Sequence, residues 1–289
     1  MTLEQLRVFV EVAERLHMTR AAEALKITQS AASAGIATLE ARHGVRLFDR
    51  VGRGLRLTEA GRIFLSEARV VLARANAAAL ALNDLAGLKR GAIALAASQT
   101  VANYWLPSRM AAFAKSHPDV TLKLTVGNTA RVAEAVLDGG ADLGFIEGDV
   151  DSPLLQRMRV STDRIGIYAA PTHPLAAVVV GPRALEGLLW ARREVGSGTR
   201  SEFEHAIAEL GVDTAQLRTA LELTSNEAVL EAAASGDLVA AVSELAARSF
   251  VAAGRLIRLR FDLPDRHFDM VTHRERSRSP AVAAFVTYI

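Results

Sequence analysis

The stretch that decides the fold is Thr19-Arg-Ala-Ala-Glu-Ala-Leu25-Lys26-Ile27-Thr28-Gln29-Ser30-Ala-Ala32-Ser33-Ala34-Gly35-Ile36-Ala37-Thr-Leu39-Glu40-Ala-Arg-His43. It reads as two helices joined by a tight turn at Lys26 and Ile27. Thr28 is a good N-cap for the second helix, because its hydroxyl can accept from a backbone N–H one turn ahead. Ala32, Ile36 and Leu39 recur at helical spacing and predict a buried stripe. Ser30, Ser33, Ala34 and Ala37 make an opposite face that is short-chained and uncharged. Such a face can mean burial in a core. It also suits the DNA major groove, where small hydroxyls meet base edges and alanine methyls meet thymine methyls.

The flanks favour the second reading. Upstream, Leu3, Leu6, Phe9, Val10, Ala13 and Leu16 share one helical face and predict a covering first helix. Downstream, Val45 to Thr58 reads as two short strands around Gly52-Arg53-Gly54, with Arg46, Arg50, Arg53 and Arg56 along them. A basic hairpin directly after such a helix pair is the pattern of a wing, whose cations would contact phosphates and whose tip could enter the minor groove. Thr58 and Glu59 then open a long helix to about residue 86, roughly 43 Å at ~1.5 Å per residue. Phe64, Ala68, Val71, Ala75, Ala78, Leu82 and Leu85 alternate four and three apart, a heptad seam that predicts a partner helix and hence a homodimer.

The chain has 289 residues, so more than one domain is expected. It is 50% hydrophobic and 23% charged, an ordinary globular composition. With no cysteine, disulfides, thiol catalysis and Cys-ligated zinc are excluded. No apolar run has the length of a membrane span, and the N-terminus is not patterned as a signal peptide, so a cytoplasmic protein is expected. The net charge is only +2, so nucleic-acid affinity must come from local clusters.

After a hinge at Gly87–Gly91 the pattern becomes β-α-β-α-β. Strands are expected at Ala92–Ala97, Val120–Val126 and Asp142–Glu147, with helices at Trp105–Ser116 and Thr129–Leu137. A second block begins near Arg164 with a strand at Ile165–Ala169. Late strands are expected at Arg255–Arg260 and Asp269–His273, before a final helix. Alternation of this kind predicts parallel sheets covered by helices, in two lobes with a cleft between them. The expected division is 1–58 for the reading head, 59–88 for the linker helix and 89–289 for the two-lobed domain. Lobe 1 is about 91–163 plus 267–289, and lobe 2 about 164–266.

Four strand ends run into small polar residues that begin helices: Ser98-Gln99-Thr100, Gly127-Asn128-Thr129, Gly196-Ser197-Gly198-Thr199 and Ser225-Asn226. Ligands of open parallel sheets sit at such ends, where helix N–H groups suit a small anion. The same residues could equally be plain helix caps. Glu147, ending a strand at the cleft, is the one acid that stands out. Gly196–Arg200 lacks the ending of a nucleotide-binding phosphate loop, and Arg200 can pair with Glu204 one turn on. No nucleophile elbow and no His-Glu-x-x-His metal motif is present, so no catalytic residue, metal or cofactor is assigned. Two function classes follow: a DNA-binding regulator controlled by a ligand, or a protein that only captures that ligand.

The residues Ala21-Ala22-Glu-Ala-Leu25, Thr28-Gln29-Ser30-Ala-Ala-Ser33, Gly44-Val-Arg-Leu-Phe48-Asp-Arg50 and Leu57-Thr58-Glu59-Ala60-Gly61 closely resemble the N-terminal domain of LysR-type transcriptional regulators. Around Ala97–Pro107, Gly127–Thr129 and Gly144–Gly148 the chain looks most like the branch regulating sulfur or carbon-fixation genes. The resemblance implies a winged helix-turn-helix, a dimerising linker helix and a periplasmic-binding-protein-like effector domain, assembled as a tetramer. It implies double-stranded DNA and a small-molecule effector as partners, and no enzymatic activity. Carried over by position, Gln29, Ser30, Ser33, Arg50 and Arg53 become DNA contacts, with Thr28 at the helix start. Ser98, Thr100, Thr129, Thr199 and Asn226 become effector contacts, with Glu147 beside them. Ala34 and Gly35 depart from the family pattern, where a long polar residue is common.

Overall fold

The computed structural model describes residues 1–51, 54–85 and 91–289. The chain divides into two compact units at about residue 88.

In the first unit, α1 (Leu3–Arg15) opens with a capping box, Thr2 and Gln5 each receiving the other's backbone N–H. α2 (Met18–Leu25) ends at Lys26, whose φ of 56° turns the chain so that Ile27 and Thr28 lead into α3 (Gln29–His43). Ala32, Ile36 and Leu39 are buried as the stripe predicts, against Leu6, Phe9, Val12, Ala21 and Ala22. Full burial of each large aliphatic there contributes about 1.5–3 kcal/mol. The hairpin pairs β1 (Phe48–Val51) with β2 (Gly54–Leu57), Arg50 lying opposite Leu55. The Gly52-Arg53 tip lies outside the described residues.

α4 runs Glu59–Leu85, and Thr58 caps it by accepting from Gly61 N–H at 2.9 Å. Its seam divides. Ala68 is buried, and Phe64 and Leu72 pack on the core of the same unit, with Phe64 4.8 Å from Phe9 between ring centroids. Val71 remains 41% exposed and Ala78 is exposed. The side chains of Leu82 and Leu85 lie outside those described. The expectation that the whole seam seeks a second helix therefore needs correction at its start. The reading head has its own core to complete and takes the first turns of the seam for it.

The second unit is built on one nine-stranded sheet, ordered β4-β3-β5-β11-β6-β9-β7-β8, with β10 (Ile257–Arg258) joined to β6. One group is β3 (Gly91–Ser98), β4 (Val120–Gly127) and β5 (Leu143–Glu147), all parallel. The other is β7 (Leu189–Arg193), β8 (Arg218–Leu223) and β9 (Leu238–Ser243), also parallel. A purely parallel sheet is not what forms. β6 (Leu155–Ala169) and β11 (Asp265–His273) pair with each other and with β5 and β9 antiparallel. These two strands cross between the lobes, one in each direction, so they run against their neighbours. β6 begins ten residues before the expected Ile165, because its first part is too polar to read as a buried strand.

Helices cover the sheet: α5 (Leu106–Ser116), α6 (Thr129–Asp138), α7 (Gly198–Glu209), α8 (Asn226–Ala234), α9 (Glu244–Ala252) and α10 (Pro280–Val286). A π-helical turn, Val101–Trp105, precedes α5. Lobe 1 is cored by Leu95, Trp105, Phe113, Phe145, Phe268 and Phe285, and lobe 2 by Ile167, Trp190, Phe203, Ile207, Val239 and Leu259. No described helix is long and apolar enough to cross a membrane.

Candidate functional site

On α3 the structure leaves Gln29, Ser30, Ala34 and Ala37 exposed and Ser33 half-buried. Thr28 accepts from Ala31 N–H at 3.2 Å, and its hydroxyl lies 3.0 Å from that of Ser30. The helix and the wing are tied together by Glu40. Its Oε1 accepts from the N–H groups of Leu47 (2.7 Å) and Phe48 (3.2 Å). Thr58 donates to the carbonyl of Arg46 at 2.8 Å, fixing the other side of the wing base. Arg46, Arg50 and Arg56 stand exposed around an open hollow that Glu40, Phe48 and Asp49 also line. Among the described residues, only Arg56 of the three is drawn to an acid, Asp49 at 3.4 Å. This is a small, neutral helix face beside a basic hairpin, the combination that suits base edges flanked by phosphates. Arg53 lies outside the described residues. Gly35 is not forced by packing: a Cβ there would meet Val8 at 3.7 Å, ordinary contact.

In the second unit Ser98 ends β3, Glu147 ends β5, and Thr129, Thr199 and Asn226 stand in the first turns of α6, α7 and α8. Thr100 immediately precedes the π-helical turn. None of the six is more than 4% exposed. Buried polar groups must find partners, and these find one another. Ser98 and Thr199 (3.2 Å) donate to the Glu147 carboxylate, and Thr129 donates to the Glu147 carbonyl at 2.7 Å. Asn226 Nδ2 donates to Thr100 at 3.1 Å, and the hydroxyls of Thr100 and Thr199 are 3.4 Å apart. Ser98, Thr129 and Glu147 belong to the first strand group, Thr199 and Asn226 to the second, so the network bridges the lobes.

The closeness depends on Gly198. A Cβ there would lie 1.9 Å from the Glu147 carbonyl oxygen and 2.4 Å from the Thr129 hydroxyl. Arg200, beside it, pairs with Glu204 at 2.8 Å and Glu222 at 2.6 Å rather than facing a ligand.

Three charged residues join the network that sequence reasoning missed. Arg266 on β11 faces Asp163 on β6 in register, with Nε 2.8 Å from Oδ2, and Arg266 Nη1 donates to Thr199 at 3.1 Å. Ser243 donates to the other oxygen of Asp163 at 2.9 Å. Arg193, at the end of β7, donates to Asn226 Oδ1 at 2.6 Å and pairs with Glu194. Burial acts to raise the Glu194 carboxyl, but the Arg193 guanidinium and Asn128 hold it below the usual carboxylate range. The signal for Arg266 and Asp163 was a buried charge of each sign on paired strands, legible only once both strands are recognised.

A second tether lies beside the network. Gln99 Oε1 accepts from the Asn226 N–H at 2.7 Å. Tyr104 Oη and Asn103 Nδ2 both donate to Glu227 Oε1, at 2.6 and 3.3 Å. Burial, then the Glu227 hydrogen bond, pushes the Tyr104 hydroxyl well above its usual range. Burial acts to raise Glu227, but the hydrogen bonds from Tyr104, its own backbone, Asn103 and Ser225 together hold the carboxyl low. Among the described residues no group of three or more His, Asp or Glu could hold a metal ion.

Comparison with known proteins agrees with this division. Residues 3–62 match the family model for bacterial regulatory helix-turn-helix proteins of the lysR family, and residues 86–289 match that for the LysR substrate binding domain. The chain is 35% identical to the HTH-type transcriptional regulator YeiE of Escherichia coli (strain K12), over 99% of this chain and 96% of that protein. It is 32% identical to the probable RuBisCO transcriptional regulator of Synechocystis sp. (strain ATCC 27184 / PCC 6803 / Kazusa), over 99% of this chain and 84% of that one. Its fold is similar to full-length CbnR complexed with its target DNA, with a TM-score of 0.69 and 22% identity over 100% of this chain and 99% of that one. It is also similar to the Synechocystis PCC6803 CcmR regulatory domain in complex with 2-PG. There the TM-score is 0.63 and the identity 25%, over 69% of this chain and 95% of that domain. A helix-turn-helix head and a two-lobed domain with a polar network between its lobes, both matched by family models, make this chain a member of the LysR family: a DNA-binding transcriptional regulator with a small-molecule effector domain, and not an enzyme.

Proposed function

We propose that the chain reads promoter DNA as a dimer and is switched by a small anion held between the lobes of its second unit. Residues 1–58 read the DNA, 59–88 pair two chains and 89–289 sense the effector. Gln29, Ser30 and Ser33 meet base edges, Thr28 sets the helix start, and Arg50 and Arg53 neutralise phosphates. Two heads on a two-fold operator follow from pairing along α4, and two dimers form a tetramer. The protein works in the cytoplasm.

The observation that carries the effector reading is the single buried network linking Ser98, Thr100, Thr129, Glu147, Thr199 and Asn226 across the lobes. It joins four helix starts, whose N–H groups and positive dipole ends favour negative charge. α7 adds to this, since it begins without a side-chain cap. The CcmR regulatory domain, solved in complex with 2-PG, supports a small ligand for a domain of this fold.

A thermal-shift panel of the full chain with phosphate, sulfite, sulfate and small carboxylates tests the reading. A ligand at 100 times its Kd adds about 2.7 kcal/mol, which is roughly 5–11 °C for a domain of this size. A selective upward shift with an anion supports the proposal. No shift with any of them, or a shift only with cationic or neutral compounds, refutes the anionic effector.

A further inference from the structure

The site's hydrogen-bond polarity says more about the ligand than its charge, and the following rests on the anionic reading above. We infer that the cleft takes a small oxyanion that still carries a proton, and that this proton is donated to Glu147.

The donor and acceptor roles are set by the groups behind the site. Arg193 can only donate, so Asn226 turns its oxygen to Arg193 and its NH2 to Thr100. Thr100 accepts there, and because Thr199 gives its proton to Glu147, the Thr100 O–H is the donor of the 3.4 Å contact between the two hydroxyls. Arg266 can only donate, so Thr199 accepts from it and gives its own proton to Glu147. Ser98 also gives its proton to Glu147, and Thr129 to the Glu147 carbonyl. The Ser197 hydroxyl, at the α7 N-cap and 2% exposed, has no hydrogen-bond partner among the described residues. The capacity left in and beside this network is the Ser197 hydroxyl and the second N–H of the Asn226 amide, which donate, and the Glu147 carboxylate, which accepts. Arg193 is engaged by Glu194 at 2.9 Å; Arg266 is ion-paired with Asp163, its Nη2 2.7 Å from Oδ2 but outside hydrogen-bond geometry. Glu147 has no ion-pair partner among the described residues.

Size follows from the same contacts. The walls touch directly, and a Cβ on Gly198 would overlap the Glu147 backbone. The ligand has only a few heavy atoms. A bare oxyanion offers lone pairs alone, so one of its oxygens would oppose a buried carboxylate where the dielectric is low. One O–H on the same anion converts that repulsion into a charge-assisted hydrogen bond. Sites built around such a bond reject isosteres lacking it by orders of magnitude.

The experiment is isothermal titration of the full chain with three inorganic anions. Phosphate keeps a proton at neutral pH, sulfate is its tetrahedral isostere without one, and sulfite loses its proton near neutrality. We expect phosphate or sulfite to bind at least about 100-fold more tightly than sulfate, and sulfite binding to weaken as pH rises. Glu147→Gln, which supplies an N–H donor in place of an oxygen, should raise sulfate affinity and shrink the ratio to less than about tenfold. Sulfate binding as tightly as the protonated anions overturns this inference and leaves the anionic reading standing. Binding of none of the three overturns this inference, and the anionic reading falls with it when the small carboxylates of the thermal-shift panel also give no shift. Full selectivity kept in Glu147→Gln removes Glu147 from the role. Should that variant not fold, the wild-type ratio and the sulfite pH profile decide.

Discussion

Single positions show what the chain can and cannot change. Gly35 and Gly198 carry the same residue under opposite constraints. At Gly198 a side chain would collide with the Glu147 backbone, so glycine is the only residue that allows the lobes to meet there. At Gly35 a methyl group finds ordinary contact with Val8. Glycine inside a helix gives away about 0.5–1 kcal/mol relative to alanine. Gly35→Ala is therefore expected to raise unfolding stability by about that much, as read from urea midpoints at unchanged slope. A loss of stability would show that α3 needs the gap for its packing on α1.

At the scale of elements, the recognition helix and wing act as one piece because Glu40 holds the two N–H groups that enter β1. Arg50 then has a fixed place beside α3. Arg50→Ala should weaken operator binding and reduce the slope of log affinity against log salt by about 0.9, one phosphate contact. An unchanged slope in fluorescence anisotropy titrations would remove Arg50 from the phosphate set. The long helix divides its seam between two partners. Phe64 and Ala68 complete the head's own core, while Val71 stays 41% exposed on the same heptad stripe. A charge at that position would be buried unpaired in a helix pair, at a cost of several kcal/mol. Val71→Glu should give a monomer by light scattering with the head still folded; a dimer of unchanged mass counts against pairing along this face.

For the molecule as a whole, the two lobes of the second unit are held by the buried network and by the Tyr104–Glu227 tether. Tyr104→Phe removes one hydrogen bond to a half-buried carboxylate, and about 1–2 kcal/mol of stability at neutral pH is the expected loss. Glu227 is held below the usual carboxylate range when folded. Its contribution is therefore complete above the unfolded value near 4.3 and disappears as pH falls through the lower folded one. The difference between wild type and Tyr104→Phe should shrink below about pH 4 in unfolding titrations. A difference that stays constant to low pH would mean the carboxylate is not the partner that matters.

The sequence by itself determined whatever depends on neighbours along the chain. The turn at Lys26–Ile27, the cap at Thr28 and the stripe Ala32–Ile36–Leu39 are local, because helix periodicity and capping act within one or two turns. The same holds for the parallel strands of each lobe and for the small polar residues at their ends. Tertiary structure decided what depends on distant segments. Residues 155–163 are polar enough to look like a loop and become strand only because β11 pairs with them in register. That pairing alone sets Arg266 against Asp163, 103 residues apart, and points Arg266 at Thr199. The start of the α4 seam turns inward because a core assembled from three other helices reaches it first. Six polar residues read separately as caps or contacts became one network because the chain crosses between the lobes and back, and burial leaves them no partners but each other.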